Sequence, residues 1–169
     1  IGRIAYFGGC MSHLTPGITE SREKIFEAAG QKYWYMDKQR SAGCGRPLQQ
    51  QGFLNQAAEL REKDSEMIEK SGAVMLVTSC PICYRSFKTE YNLSIPVLHH
   101  TEYIDMLLKQ NKIKVRKDDK KVSYHDPCEL GRGCGIYEEP RSVLKRVTNL
   151  QKTKYQKEKS VCCGFNLGN

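Results

Sequence analysis

Ala73-Val74-Met75-Leu76-Val77-Thr78 runs without a break into Ser79-Cys80-Pro81-Ile82-Cys83. An uninterrupted apolar run of this length reads as a strand buried on both faces. Before it, Phe53, Ala57, Leu60, Met67 and Ile68 mark a long helix that Gly72 ends. The same order recurs nearer the start. Ile4-Ala5-Tyr6-Phe7 is a short apolar run closing on Gly8-Gly9-Cys10. Thr15-Pro16 then opens a helix whose Ile18, Ile25, Ala28 and Ala29 share a face and which Gly30 closes. Lys32-Tyr33-Trp34-Tyr35-Met36 reads as a second strand, and residues 41–52 as a Gly/Pro/Gln loop. After Cys83 a helix is expected through Tyr91, then a fourth strand at Pro96-Val97-Leu98-His99. Thr101 is expected to cap a helix carrying Tyr103, Ile104, Leu107 and Leu108.

This alternation implies an α/β fold, with parallel strands joined by crossover helices. Ligands in such folds lie beyond the carboxyl ends of the strands. Cys10, Cys80 and Cys128 each follow an expected strand, which places these cysteines at strand C-terminal ends along one edge of one sheet.

From Lys121 the pattern restarts. Val122-Ser123-Tyr124-His125-Asp126-Pro127-Cys128 has the layout of Ile4 to Cys10, and a helix follows each, the second near Pro140 to Val147. Gly43-Cys44-Gly45 then matches Cys162-Cys163-Gly164: 32 residues separate Cys10 from Gly43, and 33 separate Cys128 from Cys162. The chain thus reads as two related half-units, 1–117 and 118–169. The first runs on for 35 residues after Cys44 to Cys80-x-x-Cys83, whereas the second stops before any such pair. An opening Ile1 and a cysteine-rich close, Cys162 to Asn169, suggest a piece of a longer protein.

With 169 residues, 39% hydrophobic and 27% charged, the chain can bury a core without staples, so its eight cysteines need another role. No apolar run approaches the ~18 residues of a membrane span, and no charged-then-apolar leader pattern opens the chain. The expectation is a cytoplasmic protein, peripheral to the membrane only through its partners. The net charge of +8 lies largely in Lys109–Lys121 and Lys145–Lys159. Those segments read as solvated surface or as docking surface for an acidic protein partner. With Tyr155 as their one aromatic and no recognisable motif, they do not indicate nucleic acid.

Taken together these residues resemble the cysteine-rich CCG domain found in heterodisulfide reductase and in the iron–sulfur subunits of glycolate, lactate and anaerobic glycerol-3-phosphate oxidation systems. That family repeats a Cys, thirty-odd residues, Cys-Cys-Gly, a similar stretch, then C-x-x-C. Tyr124-His125-Asp126-Pro127-Cys128-Glu129-Leu130-Gly131-Arg132, with Gly135-Ile136-Tyr137 and Pro140-Arg141, is similar to its second unit. The resemblance implies an iron–sulfur electron-transfer subunit or domain of an oxidoreductase. Its partners would be a flavoprotein or other redox subunit and a ferredoxin-like domain or subunit. In heterodisulfide reductase each complete unit of this kind holds a non-cubane [4Fe–4S] cluster on five cysteines.

The resemblance makes Cys10, Cys44, Cys80, Cys83, Cys128, Cys162 and Cys163 the expected cofactor and metal ligands. Gly43 stands where the first cysteine of Cys-Cys-Gly belongs, leaving four thiolates in the first unit. Four suit a cubane [4Fe–4S] cluster or a tetrahedral Zn²⁺. The alternative is therefore a zinc-stabilised structural module without redox activity. Metal-free thiol–disulfide exchange at Cys80 and Cys83 is a third reading. Cys134 falls off the pattern and reads as an ordinary thiol. His125 and Asp126 either tune a cluster through hydrogen bonds or cap a turn. His13 lies close to Cys10 in sequence, Arg132 reads as a surface or packing residue, and His99 and His100 have no evident partner.

Overall fold

The computed structural model describes residues 2–39 and 42–164. Ile1, Arg40, Ser41 and residues 165–169 lie outside the described residues, and with them the first residue of the expected 41–52 loop and the end of the cysteine-rich close. The main sheet has four parallel strands, β1 (Ile4–Phe7), β2 (Tyr33–Tyr35), β3 (Leu76–Thr78) and β4 (Val97–His99), in spatial order β2-β1-β3-β4. The register sets Ala5 opposite Trp34 on one side and Leu76 on the other, and Leu76 opposite Val97. The connections are helical, as the alternation requires. Between β1 and β2 lie α1 (Cys10–Leu14) and α2 (Pro16–Ala28), and between β2 and β3 lie α3 (Arg46–Gln50) and α4 (Leu54–Lys70). Then α5 (Pro81–Thr89) joins β3 to β4, and α6 (His100–Lys109) follows β4.

Both faces of this sheet are covered, which is why β1 and β3 carry no polar alternation. Ile4, Tyr6 and Val77 point to a core with Phe26 of α2 and Tyr103 and Leu107 of α6. Ala5, Phe7 and Leu76 point the other way, to Ile68 of α4 and Tyr84 and Phe87 of α5. Each large side chain so buried contributes roughly 1.5–3 kcal/mol. The apolar run expected to be buried throughout is not: the ladder begins at Leu76, and Val74, two residues before it, is 46% exposed.

The second segment forms β5 (Lys121–Ser123), α7 (Gly131–Cys134), α8 (Glu138–Val147) and β6 (Asn149–Gln151). Here the expectation of one continuous edge is corrected. β5 pairs in parallel with β6 alone, as a separate two-stranded sheet. The strand leading to Cys128 therefore does not extend the sheet that carries Cys10 and Cys80. The cause is α6, which lies against α8 and brings the segments together through helices. Ser142 Oγ donates to Asp105 Oδ1 across that contact at 2.5 Å. Thr101 does not cap α6 either. His99 does, its Nδ1 accepting from Thr101 N–H while Glu102 accepts from His99 N–H at 2.8 Å. Among the described residues no helix is long and apolar enough to cross a membrane.

One ion pair anchors the second segment. Arg141 of α8 donates from Nη1 and Nη2 to the two carboxylate oxygens of Asp126, at 2.6 and 2.7 Å, with both residues buried. The N–H of Lys157 donates to the same carboxylate at 2.7 Å. Burial works against the charge on Asp126, but the hydrogen bonds from Arg141 and Lys157 outweigh it and hold the carboxyl below its ordinary range. A carboxyl so lowered stabilises the fold above its unfolded value of ~3.9 and loses that effect as pH falls through its folded value. Asp126→Asn strands the buried guanidinium, and a loss of about 3–5 kcal/mol is expected in urea denaturation at neutral pH. The gap from the parent protein should narrow as pH drops below about 4.

Candidate functional site

Two adjacent strands deliver cysteines to one place. β1 ends at Phe7, and Gly8-Gly9 turn the chain into α1, whose first residue is Cys10. β3 ends at Thr78, and Ser79-Cys80 lead into α5, where Pro81 takes the first helical position. Cys80 is the N-cap of that helix, its Sγ accepting from Cys83 N–H at 3.4 Å. Gly9 has φ 82°, and a Cβ built on it would stand 2.8 Å from Cys80 Cβ and 3.4 Å from Cys83 Sγ. Both the dihedral and the close approach require glycine. From the far side Asp37, just past β2, accepts from Gly8 N–H and Gly9 N–H at 2.8 Å each. His13 Nε2 lies 3.3 Å from the same carboxylate, so its link to Cys10 runs through the turn.

Cys44 arrives on the loop before α3. Ser86 Oγ of α5 donates to its carbonyl at 2.7 Å, and the Tyr91 hydroxyl lies 3.1 Å from Gly43 O and 3.2 Å from Asp64 Oδ2. Among the described residues, a Cβ at Gly43 would meet Leu60 Cδ2 alone, at an ordinary 3.6 Å. Packing among those residues therefore does not demand glycine at this position.

All eight cysteines are free thiols. The Cys83 thiol lies against both Cys44 and Cys80. Its hydrogen bond, with the N–H groups of Cys83 and Ile82 at the start of α5, outweighs burial and brings Cys80 down to about 7. The same thiol, with Arg46 N–H, lowers Cys44. Cys83 itself is pushed far up by its two thiol neighbours and by burial. Cys10 is raised by burial first and then by Cys44 and Cys80. Thiolate character, which metal binding and nucleophilicity both need, is thus concentrated on Cys44 and Cys80. Among the described residues no three Cys, His, Asp or Glu side chains converge tightly on a single ion position.

Cys128 follows β5, with the Cys162 thiol against it; burial, then that neighbour, raises it. The backbone before Cys162 is held by Arg132, which donates to Ser160 O at 2.6 Å, and by His125, whose Nε2 lies 2.7 Å from Val161 O. Arg132 and His125 are therefore positioning residues, and Asp126 is an anchor for Arg141 rather than a turn cap. Cys80, Cys128, Cys162 and Cys163 line one cavity of about 390 Å³. Arg85 of α5 bridges the segments, donating to Glu129 at 2.9 Å. Cys134 packs beside the main core, outside that cavity. Asp37, Ser86, Tyr91 and the Arg85–Glu129 pair escape sequence reading because each acts on backbone or across distant segments; no spacing marks them. Gly9→Ala is expected to destabilise the protein by about 1–3 kcal/mol in urea denaturation. It should also speed alkylation of Cys80 through displacement of its Cβ; an unchanged rate would show the close approach to be dispensable.

A family model described as the CCG cysteine-rich domain matches residues 4–88 and 122–169. One of the subunits of the dihydromethanophenazine:CoB–CoM heterodisulfide reductase of Methanosarcina acetivorans is 30% identical over 98% of this chain, which covers 43% of that protein. An iron–sulfur protein of Methanocaldococcus jannaschii is 30% identical over 98% of this chain and 33% of its own length. The EtfAB:quinone oxidoreductase of Syntrophomonas wolfei is 30% identical over 89% of this chain and 22% of its own length. The chain thus spans less than half the length of these relatives. With the family model covering most of it, all eight cysteines included, this chain belongs to the cysteine-rich CCG domain family.

Proposed function

We propose that the chain is the iron–sulfur electron-transfer part of a heterodisulfide reductase-like or flavin-linked oxidoreductase. The observation that carries this is the meeting of Cys10, Cys44, Cys80 and Cys83, from separate stretches, at the carboxyl edge of a parallel sheet. Four thiolates would be enough to hold a [4Fe–4S] cluster, which would supply one-electron chemistry there. The site fits such a group: a side chain at Gly9 would crowd Cys80, and α5 favours thiolate at Cys80. Cys128, Cys162 and Cys163 would contribute to a second cluster in the half-unit 118–169, and the Cys-Cys-Gly sequence suits the non-cubane type. When bound, a cluster supplies one-electron transfer. This chain's own residues fix its place: Asp37 holds the turn before Cys10, Ser86 holds Cys44, and Arg132 and His125 hold the approach to Cys162.

Relatives named as an iron–sulfur protein, a part of heterodisulfide reductase and an EtfAB:quinone oxidoreductase support the reading. Its natural partners are a flavoprotein or other redox subunit and a ferredoxin-like domain, docking on the Lys-rich surfaces. A cytoplasmic site of action, with membrane contact through those partners, goes with it.

Anaerobic reconstitution with iron and sulfide should give a broad sulfide-to-iron charge-transfer band and a reduced-state EPR signal, with Cys80→Ser losing most of the iron bound by the first set. A colourless protein holding a single zinc ion on that set would overturn the proposal in favour of a structural module. Gly43→Cys should fold with stability within about 1 kcal/mol of the parent and add one thiol to a denatured-state count. A large loss of stability there would mean that glycine is structurally required.

A further inference from the structure

The cavity shared by the two cysteine sets is apolar on most of its wall, with Met11, Ile18, Pro81, Ile82 and Pro127 among its lining. Its volume of about 390 Å³ is that of a small-molecule site. One residue does not belong in such a setting. Arg22, on α2, lines the cavity, yet its only polar partner among the described residues is Ser79 Oγ, 3.2 Å from Nε. The Ser79 hydroxyl is itself tied to Tyr6 Oη at 2.9 Å. That contact engages Nε and leaves the Nη edge without a partner among the described residues.

Among the described residues no carboxylate pairs with Arg22, and burial weakens its hold on its proton. The acid in the described lining, Glu129, is paired with Arg85. His100, also in the lining, has its Nδ1 buried and unpartnered among the described residues. Burial keeps that ring, 4.2 Å from the ring of His99, uncharged in the neutral range, so it offers a hydrogen bond and not a second cation. A half-buried guanidinium with no counter-charge among the described residues presents a ready fork for an anion.

We propose that Arg22, Ser79 and His100 form an anion-binding subsite that takes the carboxylate of a small organic acid, whose apolar body lies along the cavity toward Cys80 and Cys128. One planar fork, no lysine among the described lining residues, and hydrocarbon walls match a monocarboxylate better than a phosphate. The inference deepens the oxidoreductase reading by naming the ligand class at its site, but it rests on Arg22 and the cavity, not on a cluster.

Octanoate and octan-1-ol are matched probes. Calorimetric titration of the reconstituted protein should show octanoate binding at least tenfold tighter than the alcohol. Arg22→Gln should abolish that difference while leaving the alcohol unchanged, and Arg22→Lys should keep part of it. Ile82→Trp, which fills the cavity from another element, should weaken both ligands. Equal binding of acid and alcohol, no binding of either, or an Arg22→Gln variant with parental octanoate affinity would overturn the proposal. Iron content measured in the same samples separates the two claims. Acid selectivity in iron-free protein keeps the subsite and sinks the cluster; loss of selectivity in iron-loaded protein does the reverse.

Discussion

The Asp37 carboxylate reaches back across the sheet to two successive N–H groups, those of Gly8 and Gly9, at 2.8 Å each. Hydrogen bonds to an ionised acceptor are about twice as strong as neutral ones, and here two are spent on one turn. That turn has a left-handed residue pressed onto Cys80, a conformation the chain would leave if it were not held. Holding it sets where α1 begins and hence where Cys10 stands. The ladder itself pairs the ends of β1 and β3, Phe7 with Thr78, and the held turn adds the close approach of Gly9 to Cys80. The remaining cysteine of the group, Cys44, is tied to the same frame through Ser86 on α5. The arrangement of all four thiols therefore descends from the sheet edge outward.

Around that frame charge is handled in two different ways. Asp126 and Arg141 are both buried and satisfy one another with matched geometry, so the second segment gains a fixed point at a modest net cost. Arg22 is left without such a partner beside an apolar cavity. The thiols are graded as well. α5 helps to stabilise negative charge at Cys80, and burial opposes it at Cys10 and Cys128. A surface that is strongly basic in total thus encloses an edge where each charge has been placed individually.

What could be read from sequence follows from what leaves a local imprint. β1, β3, α2 and α4 were legible because burial on both faces demands continuous apolar runs, and a crossover helix demands a periodic stripe between them. The placement of Cys10 and Cys80 came with them, since both directly follow a strand. α1, α3, α7 and β6 were not legible. Each is five residues or fewer, too short for periodicity, and Asn149-Leu150-Gln151 holds a single apolar side chain. The division into two sheets was hidden because it turns on α6 packing against α8, a contact between helices that carry the same kind of stripe. Asp37 was hidden for a different reason: it recognises backbone, which every residue has, so nothing at Gly8 or Gly9 announces the partner.

Parallel pairing has a bearing on how the site comes into being. No strand of the main sheet can pair with its neighbour through a tight turn; Ala5 must find Leu76, and Leu76 must find Val97, across whole helical crossovers. Contacts so distant along the chain form late and slowly, because loop closure comes before the reward of packing. Cys10 and Cys80 are therefore strangers in a growing or unfolded chain, and they become neighbours only once β1 and β3 have joined. Assembly of anything that needs both sulfurs is gated by completion of the sheet, so the sulfur cage is a late product of folding and not its seed.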